Sequence, residues 1–194
     1  MSQTFVLIVL GITFAISCKI VDLIDEHNWI NGKIGFILKY FFTLIVACSV
    51  YFSFELEKDL TPHLLSVMLF WILNNKFEYP SHVLAAFLSA IFIGKYLTIE
   101  YTVLALIGLA IYWILEFIVK RSSNKLIELL LFKSLARFLV VPLFLSVYFN
   151  NFNITIYTAC GLLSMHVVRY LIKKEIIKIN PQTIKNQIAD KKET

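Results

Sequence analysis

Three acidic side chains at the end of the first apolar segment are the leading candidates for chemistry. In residues 19–26 (KIVDLIDE), helical spacing places Asp22, Asp25 and Glu26 on adjacent turns. Carboxylate oxygens are the ligands that Mg²⁺ prefers in proteins. The sequence therefore predicts that these three residues hold Mg²⁺ or another hard cation and take part in catalysis. The alternative is a solvated helix end, in which Lys19 pairs with Asp22.

An Asp-x-x-Asp pair at a helix end is similar to the metal-holding helix ends of membrane prenyltransferases, where the metal binds a diphosphate. The resemblance covers only residues 22–25, because this chain has no Asn ahead of the pair and no second Asp-rich helix end. The resemblance implies a divalent cation beside a phosphorylated substrate. It does not imply that the chain belongs to that family.

Cationic side chains within later apolar segments predict an anion site. Lys133 and Arg137 lie four residues apart, where like charges repel on a helix. Snorkelling would free Lys133, but Arg137 would need most of its length to reach the interface. A phosphate would suit Arg137 because the guanidinium donates two parallel hydrogen bonds. We predict Lys133, Arg137 and Arg169 as substrate-binding residues.

Glu116 and His166 each have a functional and a structural interpretation. Glu116 either contributes to the substrate site or pairs with Lys120 at i+4 on the helix surface. His166 either acts in catalysis or is a hydrogen-bonded packing residue, with Arg169 as an interfacial anchor on the same face. We predict Glu116 as substrate-binding and His166 as catalytic.

Membrane-spanning helices are the elements that must position these residues. The chain is 59% hydrophobic and 16% charged, with a mean hydropathy of +0.77, whereas soluble domains are roughly 45–50% apolar and about 25% charged. Runs that are apolar on every face favour helices over barrel strands. We predict an all-α membrane bundle over 1–179, a short polar tail over 180–194, and seven helices at about 4–24, 36–54, 60–73, 81–97, 100–119, 126–149 and 154–172.

The distribution of basic residues predicts the orientation of the seven spans. One side of the membrane would carry only Lys58 and Lys95. The positive-inside rule makes the other side cytoplasmic, and we predict a cell-membrane protein with its N-terminus outside and its tail inside. The basic residues of the cytoplasmic side would be Lys33, Lys39, Lys76, Lys120, Arg121, Lys125, Arg169, Lys173, Lys174 and Lys178.

Several classes of protein are disfavoured by what the sequence lacks. Three cysteines in apolar runs do not indicate a disulfide framework. Six glycines leave little room for a phosphate-cradling loop, and no Gly-x-Ser-x-Gly occurs. The net charge of +5 lies at helix ends and in the tail, where anionic head groups rather than nucleic acid would attract it.

Three functions fit these residues. The leading hypothesis is a cavity open to the cytoplasm that handles a phosphorylated or anionic lipid- or isoprenoid-like substrate, as in a small lipid-modifying enzyme. The second is an ion or solute transporter that uses buried Asp, Glu, Arg and His side chains. The third is a non-catalytic subunit of a membrane complex or a homo-oligomer, in which the buried charges pair with one another.

Overall fold

The computed structural model describes residues 2–27, 30, 32–74, 79–121 and 135–179, which fold into α-helices and one short 3-10 helix, Lys58–Leu60, joined by turns. Side chains are described for these residues except 26–27, 119–120, 135–137 and 172–179. The predicted all-α class is confirmed, whereas residues 126–134 of the predicted sixth helix and the predicted tail over 180–194 lie outside the described residues. Seven α-helices occupy this part of the chain: α1 Gln3–His27, α2 Gly32–Leu56, α3 Thr61–Leu73, α4 Pro80–Tyr96, α5 Ile99–Arg121, α6 Leu135–Tyr148 and α7 Asn153–Ile179.

Four of the helices are long and apolar enough to cross a membrane, within the described ranges: Gln3–Asp25, Gly32–Leu56, Ile99–Ile118 and Asn153–Leu171. Large apolar side chains also cover the outside of the bundle, including Phe36 and Ile37 on α2 and Val147 on α6. A soluble protein rarely exposes so many large apolar side chains. These features fit a membrane protein.

Helix α1 is central to the bundle, because it packs along both α2 and α7. The contact with α7 depends on glycine. A Cβ atom on Gly11 would lie 2.8 Å from the carbonyl oxygen of Tyr157, and one on Gly161 would lie 3.1 Å from the carbonyl oxygen of Gly11. Small residues allow membrane helices to approach this closely. Further contacts join α2 to α4, α3 to α4, α5 and α6, and α6 to both α5 and α7.

One end of the bundle, which we call the Glu57 end, is joined by polar side chains. The amide of Asn153 donates to Glu57 over 3.2 Å. The Tyr101 hydroxyl donates to Asp59 over 2.9 Å, and the Asn151 amide donates to the other Asp59 oxygen over 3.3 Å. Two further hydrogen-bonded groups lie at this end: Glu55 with Lys95 and Tyr96, and Glu100 with Tyr148.

Candidate functional site

A cavity of about 380 Å³ lies between the helices and is the candidate site. Among the described residues, its walls come from α1, α2, α3, α4, α6 and α7. Ligand pockets are typically about 300–1,000 Å³ and mostly apolar, with a few placed polar groups. The deep part of this cavity is apolar, with walls that include Phe14, Val46, Val50, Leu64, Val67 and Ile93.

The cavity is deep along the helix axes. His82 and Ile93 both line it from α4, and a rise of 1.5 Å per residue places them about 16 Å apart along the helix. Phe14 and Asp22 line it from α1, about 12 Å apart by the same rise. The hydrocarbon core of a bilayer is about 30 Å thick, so the cavity is about as deep as one leaflet of acyl chains.

Lys19, Asp22 and His82 meet at the opposite end from Glu57, which we call the Asp22 end. The Lys19 ammonium donates to Asp22 Oδ2 over 2.9 Å, and His82 Nε2 lies 3.2 Å from Asp22 Oδ1. Pro80 opens α4 in its first turn, where its missing N–H leaves no partner unsatisfied. Since His82 follows in that same turn, its ring reaches the last turns of α1.

His166 and Arg169 line the same cavity from α7, three residues apart and therefore on one helix face. Asp22 is the one carboxylate among the described lining residues. It shares the cavity with the cations Lys19 and Arg169 and with two imidazoles. With neutral imidazoles, the two cations and one carboxylate give this lining a formal charge of +1. An anionic group is the natural complement of such a site.

The structure brings together three of the predicted site residues, Asp22, His166 and Arg169. Glu116 lies on α5 and is not part of the described lining. The other predicted positions, Lys133 and the side chains of Arg137 and Glu26, lie outside the described residues. Their roles stay predictions.

Asp25 does not share the partners of Asp22. Its Oδ1 accepts a hydrogen bond from Lys39 Nζ over 2.9 Å, and its Oδ2 accepts one from the Ser81 hydroxyl. These contacts join α1 to α2 and α4, and they leave the Asp25 side chain only 5% exposed. No group of three or more His, Cys, Asp or Glu side chains in the described part of the chain is arranged to hold a metal. The predicted Mg²⁺ site therefore stays a prediction.

Replacing Lys39 with methionine is expected to destabilise the bundle by about 3–5 kcal/mol, the effect of leaving a buried carboxylate without its charge partner. The measurement is thermal or denaturant unfolding of the purified protein in detergent. Lys33→Met is the matched control, because Lys33 is exposed in the first turn of α2. Equal melting temperatures for the two variants would show that the Asp25–Lys39 pair does not join the helices.

Sequence reasoning missed His82 as a site residue. The available signal was topological, since alternating spans place the start of the fourth helix on the side where the first one ends. That side already held Lys19 and Asp22, so a histidine in the first turn of α4 had charged neighbours within reach. Nothing in the local sequence around His82 indicates which α1 residue it faces.

His63 is a second residue whose role is visible only in the structure. Its side chain is 3% exposed, with Nδ1 3.4 Å from the Tyr112 hydroxyl and Nε2 3.1 Å from the Thr158 hydroxyl. Thr158 donates its own proton to the carbonyl of Ile154 over 2.9 Å. Thr158 must therefore accept from His63 Nε2–H, while Nδ1 accepts from Tyr112. One neutral tautomer satisfies all three groups.

Comparisons with known protein families, with curated proteins and with solved structures found no match for this chain.

Proposed function

We propose that this chain is a seven-span cell-membrane protein that binds a phosphorylated or otherwise anionic lipid- or isoprenoid-like molecule in the cavity between its helices. The observation that carries the proposal is the division of one cavity into a deep apolar part and a cationic end. The chain of an amphiphile would occupy the apolar part. Its head group would lie beside Lys19, His82, His166 and Arg169.

In this proposal the Asp22 end faces the cytoplasm and the N-terminus lies outside. Support comes from the basic residues, because Lys33, Lys39, Arg121 and Arg169 lie on helix segments at the Asp22 end, whereas Lys58 and Lys95 lie at the Glu57 end. Cytoplasmic segments are enriched in Lys and Arg. The ligand would then enter from the inner leaflet, whose acyl chains match the cavity in depth.

The head group would decide which amphiphile binds. Lipid tails are about as apolar as leucine, so the free energy of an alkyl chain changes little when it moves from the bilayer into the cavity. A charged group at membrane depth needs a partner, and hydrogen bonds between ionised groups are the strong ones. Lys133 and Arg137 stay predicted phosphate partners. An enzyme is the alternative in which Mg²⁺ on Asp22, Asp25 and Glu26, with proton transfer by His166, acts on the same ligand.

Binding of dodecyl phosphate, followed by native mass spectrometry of the protein in a neutral detergent, tests the proposal. We expect the protein to bind dodecyl phosphate in clear preference to dodecyl maltoside. Lys19→Met and Arg169→Gln should each weaken that binding on the order of tenfold, the effect of removing one charge-assisted hydrogen bond. The matched controls are Lys33→Met and Arg121→Gln, because both residues are exposed and neither lines the cavity.

A second variant separates the cavity from the protein surface. Ala86 lines the cavity from α4, and phenylalanine in its place would fill the space that the alkyl chain needs. Ala86→Phe should therefore abolish dodecyl phosphate binding while the protein still unfolds cooperatively. Ala110→Phe on the exposed face of α5 is the control. Unchanged binding by Ala86→Phe would place the ligand elsewhere and defeat the proposal.

A further inference from the structure

We propose that Asp22 is a built-in counter-ion of the anion site, and that an incoming anionic head group must displace it from Lys19 and His82. This inference rests on the proposed function. It adds that Asp22 balances the charge of the site while no ligand is bound. It also gives Asp22 a role opposite to that of a metal ligand. A counter-ion competes with a phosphate, whereas a metal ligand would help to bind one.

Both oxygens of Asp22 are engaged with groups that a head group would use. Oδ2 accepts from Lys19 over 2.9 Å, and Oδ1 lies 3.2 Å from His82 Nε2. All three side chains line the cavity. A phosphate that reached Lys19 and His82 would therefore meet positions already occupied by carboxylate oxygens of the protein.

Burial shows why the empty cavity needs this carboxylate. The side chains of Lys19 and His82 are 15% and 16% exposed, whereas that of Asp22 is 30% exposed. A cation so largely removed from water is destabilised unless a negative group faces it. Asp22 supplies that group when no ligand is bound, and it is the more exposed member of the pair.

The competition would make binding weaker and more easily reversed than the cations alone would allow. Two negative groups beside one ammonium repel each other, so the bound anion gains only the difference between its own interaction and that of Asp22. Such a site suits a protein that exchanges its ligand with the bilayer. Asp25 lacks this role, because its partners Lys39 and Ser81 do not line the cavity.

The test compares Asp22→Asn with Asp25→Asn, which removes the same charge one helical turn away. Dodecyl phosphate is titrated into each purified protein, with EDTA and separately with Mg²⁺. We expect Asp22→Asn to tighten binding by roughly three- to tenfold in both conditions, as for loss of one competing charge-assisted hydrogen bond. Asp25→Asn, measured on protein that still unfolds cooperatively, should change binding by less than about twofold, since the partners of Asp25, Lys39 and Ser81, do not line the cavity.

Lys19 must carry the effect if the inference is right. In a Lys19→Met background, Asp22→Asn should therefore tighten binding much less than it does alone, as a double-mutant cycle would show. Asp22→Ser, read in the same titration, replaces Asp22→Asn if the asparagine variant does not fold.

Three results would overturn the inference. The first is that Asp22→Asn binds dodecyl phosphate as the wild type does, or more weakly. If the binding is weaker only in the presence of Mg²⁺, Asp22 is a metal ligand. The second is that Asp22→Asn and Asp25→Asn tighten binding equally. This would show that any nearby negative charge weakens binding, so that Asp22 is not a specific counter-ion. The third is a wild-type protein that does not prefer dodecyl phosphate to dodecyl maltoside, which would defeat the proposed function as well.

Discussion

Gly11→Val is expected to prevent the close packing of α1 on α7 and to lower the melting temperature of the purified protein sharply. Even the first carbon of a side chain at Gly11 would lie 2.8 Å from the carbonyl oxygen of Tyr157 and 3.1 Å from its ring. A backbone oxygen cannot move aside as a side chain can, so the two helices must separate. Overpacking of this kind costs about 1–3 kcal/mol, and more when backbone must shift.

Two other helical glycines provide graded controls. A Cβ atom on Gly94 would meet nothing within 4 Å, so Gly94→Ala should be neutral or stabilising by up to about 1 kcal/mol through helix propensity. Gly161→Ala should fall between Gly94→Ala and Gly11→Ala, because its added carbon would lie 3.1 Å from the carbonyl oxygen of Gly11. Equal melting temperatures for Gly94→Ala and Gly11→Ala would contradict the packing seen here.

His63→Ala is expected to destabilise the protein by about 3 kcal/mol or more. The change removes a buried ring, leaves a space behind it, and deprives the hydroxyls of Tyr112 and Thr158 of a partner. Tyr112 also packs on Phe70 and Phe138, which line the cavity. Dodecyl phosphate binding should therefore weaken in this variant together with stability, as unfolding and titration would show.

The hydrogen bonds that join His63 to Tyr112 and to Thr158 can be removed one at a time. Tyr112→Phe and Thr158→Val each delete a hydroxyl that contacts His63, and each should cost about 1 kcal/mol. Because the three groups share one tautomer, the double variant should depart from the sum of the single ones. Strict additivity would mean that His63 does not couple the two hydroxyls.

The helical class and, within the described residues, the helix positions were predictable because they depend on local sequence. Continuous apolar runs indicate helices in lipid, and prolines near the starts of α3 and α4 mark those ends. The observed α7 reaches Ile179, beyond the apolar run that ends near residue 172, because its polar last turns still carry a helical pattern.

The candidate site was predictable only where its contacts are local. The Lys19–Asp22 pair follows from i, i+3 spacing on α1. Its contact with His82 joins residues far apart in sequence, and it depends on α1 and α4 both reaching the Asp22 end. The same holds for the two partners of Asp25. Predicting these contacts requires knowing which helices are neighbours, and apolar runs do not encode that.

The cavity could not be predicted from the sequence, for a related reason. Part of its space lies beside the small side chains of Ala85, Ala86 and Ser89 on α4. Small residues at this spacing commonly let a neighbouring helix approach closely, as at Gly11 and Gly161. Whether such a face is filled by another helix or left open depends on the packing of the whole bundle.

The hydrogen bonds at the Glu57 end have a mechanical consequence. They join α2 to α4, and they join the residues just after α2, Glu57 and Asp59, to α7 and α5, whereas the polar links described at the Asp22 end join α1, α2 and α4. The described polar links therefore hold α5 and α7 at the Glu57 end. We expect α5 and α7 to be fixed more firmly at the Glu57 end than at the Asp22 end.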